Sequence, residues 1–266
     1  RRRIASSFYE KKIKAIRTND KVYTQNQKMG LLPDDWDSSK TNIVIFNSSE
    51  DEFAAIGGEW EKDNLFESQI AGIKYMLENT KDRSIHFYLR VHPNLKTIKY
   101  KYHTDLYKFA SEYNNITVIP GNSPISSYAL MGECDKVITF GSTMGVEAAY
   151  AGKPSMVLLP CLHYFLNINY VPKTKQDVID FIEGRVSFTP DHENTLKFSY
   201  YYYNDERKSV DNPECEICNY PISFFGKQIN TYGMNYYCST FMMKYYSLLN
   251  ILGVFASRCF ISKREQ

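Results

Sequence analysis

Between residues 43 and 159, short runs of β-branched or apolar residues alternate with longer amphipathic stretches. Few folds accept that alternation. Runs that are apolar throughout suit strands buried on both faces, and the stretches between them are long enough to cross back over a sheet, so the pattern specifies a parallel sheet covered by helices. It predicts strands over 43–46, 85–91, 116–119, 136–140 and 155–159, each ended by a polar, Gly or Pro signal. Helices are expected over 65–78, with Ile70, Ile73, Tyr75 and Leu77 on the apolar side, and over 104–113, 125–134 and 144–151. Gly152 suits a left-handed cap on the last of these, and Pro154 opens the next strand. A further helix over 175–183 has Thr174 as its cap and Asp177 three residues on, a variant of the capping box.

The flanks differ from this central region. Residues 1–40 are polar and charged and read as an arm, with Leu31-Leu32-Pro33-Asp34-Asp35 forming a turn before the first strand; because position 1 is Arg, the sequence is expected to be the latter part of a longer protein. Residues 41–185 carry the Rossmann-like domain. Beyond them, 186–266 is an irregular, partly helical tail that contains four consecutive tyrosines, Tyr200 to Tyr203. Helical spacing returns through Met242, Tyr246, Leu249, Leu252 and Phe255, a final amphipathic helix that either packs on the domain or rests on anionic lipid.

Charge and cysteine content narrow the function. The chain of 266 residues holds 32 Lys and Arg against 30 Asp and Glu, a net charge of +2, too small an excess for a dedicated nucleic-acid binder. Six cysteines without regular dense spacing suit a reducing, cytosolic setting rather than a disulfide scaffold. The pair Cys215 and Cys218 is a single Cys-x-x-Cys, and the nearest further ligands, Cys238 and His192, lack the spacing of a zinc site. No apolar run of roughly 18 residues is present, and none of the about 7 to 15 residues a signal peptide needs follows the first arginines, so the chain is expected to be soluble or peripheral to a membrane.

In open parallel sheets, ligands bind beyond the carboxyl ends of the strands, where loops and helix N-termini converge with unpaired N–H groups. Three segments there carry chemistry. After the first strand, Asn47-Ser48-Ser49 leads into Glu50-Asp51-Glu52; three adjacent acids repel one another and favour a raised pKa in one of them, suited to a general base, although a solvated acidic turn would read the same way. After the second comes Arg90-Val91-His92-Pro93-Asn94, in which Arg90 and His92, two apart on an extended chain, point the same way and can face one phosphate. After the fourth comes Gly141-Ser142-Thr143-Met144-Gly145-Val146-Glu147. Gly141 allows a tight turn, Ser142 and Thr143 can cap the next helix, and Glu147 can accept two hydrogen bonds from a ribose diol. An ordinary capped helix explains these residues singly, but not their coincidence with Arg90 and His92. His86, His103, His163 and His192 are read as ordinary core or surface histidines. No Gly-x-Gly-x-x-Gly follows the first strand, no P-loop is present, and Ser142 does not lie in Gly-x-Ser-x-Gly, which disfavours a dinucleotide cofactor, a P-loop triphosphatase and a hydrolase elbow.

The segments 45–53, 88–94 and 140–154, in this order, resemble the bacterial capsule and surface polysaccharide glycosyltransferases, specifically the C-terminal, nucleotide-sugar-binding half of a GT-B enzyme; the resemblance covers roughly residues 5–185. It implies transfer of a sugar from a nucleotide sugar to a glycan acceptor, with no cofactor and no metal. The His-Pro pair at 92 and 93 and the Ser/Thr turn at 142 and 143 are similar to those with which bacterial sialyltransferases and Kdo transferases hold the phosphate of a CMP-sugar. By the same likeness Glu147 resembles a ribose-binding glutamate, and the acidic base of those enzymes falls on Glu50, Asp51 or Glu52. On this reading Ser48, Ser49, Arg90, His92, Asn94, Gly141, Ser142, Thr143, Met144 and Glu147 bind the donor. Two alternatives share the pattern: a non-hydrolysing sugar-nucleotide epimerase, and a non-catalytic binding subunit of a polysaccharide-assembly complex.

Overall fold

The computed structural model describes residues 1–16, 22–49, 64–97, 100–203, 222–224 and 227–229. The chain forms two compact units, Arg1–Asp205 and Glu206–Gln266. In the second, Ile222–Phe224 pairs antiparallel with Lys227–Ile229.

The elements of the first unit in chain order are α1 (Arg2–Ile13), β1 (Thr41–Phe46), α2 (Gln69–Asn79), β2 (Ile85–Arg90), β3 (Ile116–Ile119), α3 (Ser127–Glu133), β4 (Lys136–Thr139), α4 (Met144–Tyr150), β5 (Ser155–Val157), α5 (Lys175–Ile182) and α6 (His192–Tyr203). The five strands make one parallel sheet in the order β3-β2-β1-β4-β5, an α/β Rossmann-like fold. The chain runs outward from β1 through β2 to β3, then returns to the other side of β1 for β4 and β5. That reversal opens a crevice at the carboxyl ends of β1 and β4.

Period-2 alternation sends successive residues of β1 to opposite faces. Ile43 and Ile45 pack with Ile73 and Met76 of α2 and Phe181 and Ile182 of α5, while Val44 and Phe46 pack with Leu130 and Met131 of α3 and Ala148 of α4. Covering both faces is what makes the strands apolar throughout. The helices start where their side chains can cap them: Ser68 accepts from the Ala71 N–H, Ser126 from the Ala129 N–H, and Thr174 and Asp177 form the full capping box. Gly152 has φ +77°, the left-handed conformation expected at the end of α4.

Three stretches depart from expectation. The helix read over 104–113 is broken into Lys101–Thr104, a 3-10 turn at Asp105–Lys108, and Phe109–Glu112. Within residues 1–40, read as an arm, α1 buries Phe8 and Tyr9. Its partner is α6, where the tail was read as irregular: the Tyr9 hydroxyl donates to the Thr195 carbonyl at 2.7 Å, and Phe8 meets the rings of Tyr202 and Tyr203, so half of the tyrosine run is packing surface. The mean composition of α1 is polar because only one side of it is covered. The final amphipathic stretch and the Cys215/Cys218 pair lie outside the described residues.

Candidate functional site

At the crevice lies a cavity of about 360 Å³, lined among others by Phe46, Asn47 and Ser48 after β1, Arg90, His92 and Pro93 after β2, and Gly141, Ser142, Thr143, Met144 and Glu147 around the start of α4. Three loops well separated in sequence thus share one space. Its floor is rigid. The Asn47 side chain accepts from the His92 N–H at 2.9 Å, and Gln69 clamps the Ser48 backbone, accepting from its N–H at 2.9 Å and donating to its carbonyl at 3.1 Å. Ser49 is buried too but is not part of the lining. Gly121 completes the seat of His92 from the β3 side: a Cβ there would lie 2.9 Å from the His92 carbonyl oxygen, so the approach admits no side chain.

His92 is a neutral donor. Burial, reinforced by the positive Arg90, pushes its pKa down to about 4. Its Nδ1 accepts from the Asn94 N–H at 3.2 Å, which leaves the ring proton on Nε2. The edge of the imidazole also meets Tyr23, with ring centroids 5.0 Å apart.

Arg90, expected to act beside it on a phosphate, lines the same cavity and is also tied to backbone. The side chain is only 2 % exposed; its guanidinium donates to the carbonyls of Pro120 and Ser123, the second at 3.2 Å, and Nε approaches the Ser127 hydroxyl at 3.5 Å. Desolvation lowers its pKa to about 10, which leaves it charged at neutral pH. Arg90 borders the cavity as a tie between β2 and the loop after β3, with one N–H of each terminal nitrogen committed to backbone. Asn94 faces a neighbouring cavity of about 440 Å³ that also touches Arg90, Gln27 and Lys96.

Around α4 the expected cap is redistributed. Gly141 takes φ +80° to make the turn, and Ser142 accepts from the Met144 N–H at 3.3 Å, but the Thr143 hydroxyl makes no cap. It donates instead to Glu147 Oε1 at 3.1 Å, while the Tyr128 hydroxyl donates to Oε2 at 2.6 Å. Lys12 of α1 stands 3.7 Å from Oε1. Glu147 is 4 % exposed and held from three sides, yet each carboxylate oxygen has a second lone pair for a ligand hydroxyl.

Several lining residues escaped the sequence reading. Lys12 and Ile16 come from α1 and the turn after it, Tyr23, Thr24 and Gln27 from the segment that follows, and Tyr128 from α3. Gln27 Oε1 accepts from the Ser127 N–H at 2.7 Å, whereas its buried Nε2 has no partner among the described residues. The place of Ser127 next to the cap residue Ser126 and the polar character of 22–28 were the only signals available. An Asp-x-Asp spacing, Asp35-Trp36-Asp37, is also present. It sits at the amino end of the sheet, where Asp37 binds Ser39 and Asp35 accepts from Thr117, and no group of three or more His, Cys, Asp or Glu that could hold a metal occurs among the described residues. Glu50, Asp51 and Glu52 lie outside the described residues.

No family model matches the chain, and no curated protein does. Among solved structures it is similar to KpsC, a beta Kdo 2,4 transferase from Thermosulfurimonas dismutans, at 13% identity and a TM-score of 0.43, over 73% of this chain and 54% of that one. It is similar also to UDP-GlcNAc 2-epimerase from Neisseria meningitidis (15%, TM-score 0.37, 63% and 45%) and to the glycosyltransferase SnogD from Streptomyces nogalater (13%, TM-score 0.36, 67% and 42%). The chain spans about half the length of these structures. At such TM-scores the likeness carries no weight in assigning an activity.

Proposed function

We propose that this chain carries the nucleotide-sugar site of a GT-B glycosyltransferase of surface polysaccharide biosynthesis, which moves a sugar from a nucleotide-sugar donor to a glycan acceptor. The observation that carries the reading is that His92, Ser142, Thr143 and Glu147 line one cavity at the reversal point of the sheet. The motif resemblance of the same segments supplies the substrate class. Glu147, already oriented by Tyr128 and Thr143, accepts the ribose hydroxyls. The Nε2–H of His92 and the hydroxyl of Ser142 donate to the departing phosphate, and Lys12 brings the positive charge that Arg90 has committed elsewhere. Such preorganised donors, in a site sheltered from water, are worth on the order of 3 kcal/mol each where negative charge develops. The acidic run Glu50 to Glu52 is assigned the base.

The test is a thermal-shift panel of UDP, GDP, CMP and CDP. A nucleotide at a hundred times its dissociation constant adds about 2.7 kcal/mol, a shift of roughly 5 to 10 °C. H92A is expected to keep the parent's melting temperature and lose the nucleotide-induced shift. If no nucleotide moves the transition, the reading fails; equal loss of stability and of binding in H92A would make His92 structural. Conversion of a UDP-sugar without any acceptor would favour the epimerase.

A further inference from the structure

The chain carries a surface that the cavity does not use. In the loop after β5, Leu162, Phe165 and Leu166 are 71 %, 87 % and 40 % exposed. One exposed apolar side chain is ordinary, but three within five positions form a patch. The loop is held from beneath. His163, buried within it, sets its ring nearly perpendicular to that of Phe198 of α6, with centroids 5.6 Å apart, and the Asn194 side chain donates to the Leu166 carbonyl at 2.9 Å. Basic residues gather beside this apolar tip. Lys197, exposed on α6, donates to the Asn194 side-chain oxygen at 2.9 Å, and the first turn of α1 is tied on by Arg2, which lies 2.9 Å from Glu193. Arg1, Arg2, Arg3 and Lys197 are all exposed there, against Glu193, which Arg2 already pairs, and Asp191, which caps α6 at the Asn194 N–H.

We propose that this surface docks on an anionic lipid bilayer: Leu162, Phe165 and Leu166 enter the boundary between headgroups and acyl chains, and Arg1, Arg3 and Lys197 meet the headgroup phosphates. The pairing of two signals selects the occupant. An apolar tip alone fits protein or lipid, and a basic cluster alone fits any polyanion. An apolar tip flanked by cations fits a surface that is negative at its face and apolar just beneath. Exposure points the same way, because a ring 87 % open to solvent projects from the protein and can insert, whereas the anchors of protein interfaces sit in packed, flat patches. The patch also lies away from the cavity. α1 runs from Arg2, in the patch, to Lys12, beside Glu147, about 15 Å further along the helix axis. No residue of the patch lines the cavity, so the surface stands independently of the nucleotide-sugar reading.

The test is co-sedimentation of the full chain with vesicles of phosphatidylcholine, alone or mixed equally with phosphatidylglycerol. The mixed vesicles are expected to carry the parent down, and L162S/F165S to lower its bound-to-free ratio about tenfold or more. R3E/K197E is expected to do the same, as is salt at roughly 0.5 M. Both variants are expected to keep the parent's melting temperature and its response to nucleotides, because the replaced side chains touch neither core nor cavity. Equal retention on phosphatidylcholine alone overturns the proposal, since the cations would then play no part. So does an L162S/F165S protein that binds as tightly as the parent, which would assign the binding to another part of the chain. A parent that ignores both vesicles overturns it too and leaves the apolar tip to a protein partner.

Discussion

At the amino ends of the strands, Asp37 and Asp82 each close a turn on a serine two residues on, and those serine hydroxyls and N–H groups lower both carboxyl pKa values within reach of solvent. At the carboxyl ends, Asn47, Ser48, Arg90 and Glu147 make their hydrogen bonds almost wholly away from water. Water can replace a lost partner at the first rim but not at the second, where a buried polar group must find its partner inside the protein. Polar residues are tolerated at the second rim because neighbouring groups of the protein supply their partners.

The sharpest way to break this contrast is R90M. Stranding the Pro120 and Ser123 carbonyls, with no charge left to satisfy them, is expected to cost about 3 kcal/mol or more, read from urea denaturation. A variant as stable as the parent would mean that the tie is ornamental. Next is the response to acid. The folded-state pKa values of His92 and His163, both lowered to about 4 chiefly by burial, lie below the unfolded value of about 6.5. Between those values the unfolded chain binds more protons, so stability falls as pH drops through this window, and His163 alone contributes on the order of 3 kcal/mol. Urea midpoints at pH 7 and 4.5 measure the slope, which H163Q is expected to flatten. Smaller again is K12M, expected to weaken the nucleotide that shifts the parent most by about tenfold, near 1.4 kcal/mol, in calorimetric titration. At the amino rim, S84A is expected to change the melting temperature by no more than about 1 °C; a larger drop would erase the distinction between the rims.

Much of the scaffold was legible. Apolar runs located all five strands to within two residues at either end, and the Thr174–Asp177 box and the glycines at 141 and 152 behave as their chemistry dictates. Those signals are local: they depend on periodicity and on backbone freedom, both written in neighbouring residues. The site was legible in part. Position after a strand gathers His92, Ser142, Thr143 and Glu147 around one cavity, since topology carries every such loop to the same rim. The destination of each donor was not. Arg90 reads as a ligand group until the carbonyls of Pro120 and Ser123, some thirty residues on, are seen to take its guanidinium. Thr143 reads as a cap until Glu147 is seen within reach.

What the order of residues determined alone was a parallel layer with its chemistry gathered along one rim, because strand and helix periods and cap residues act over a few positions. Only the folded chain decided that α1 lies against α6 and thereby brings Lys12 to Glu147, that His92 is held neutral, and that Thr139, His163 and Asn169 close on Gly145 at the start of α4. Each of these depends on burial and on contacts between segments far apart in sequence, and such contacts come into being with the packed core.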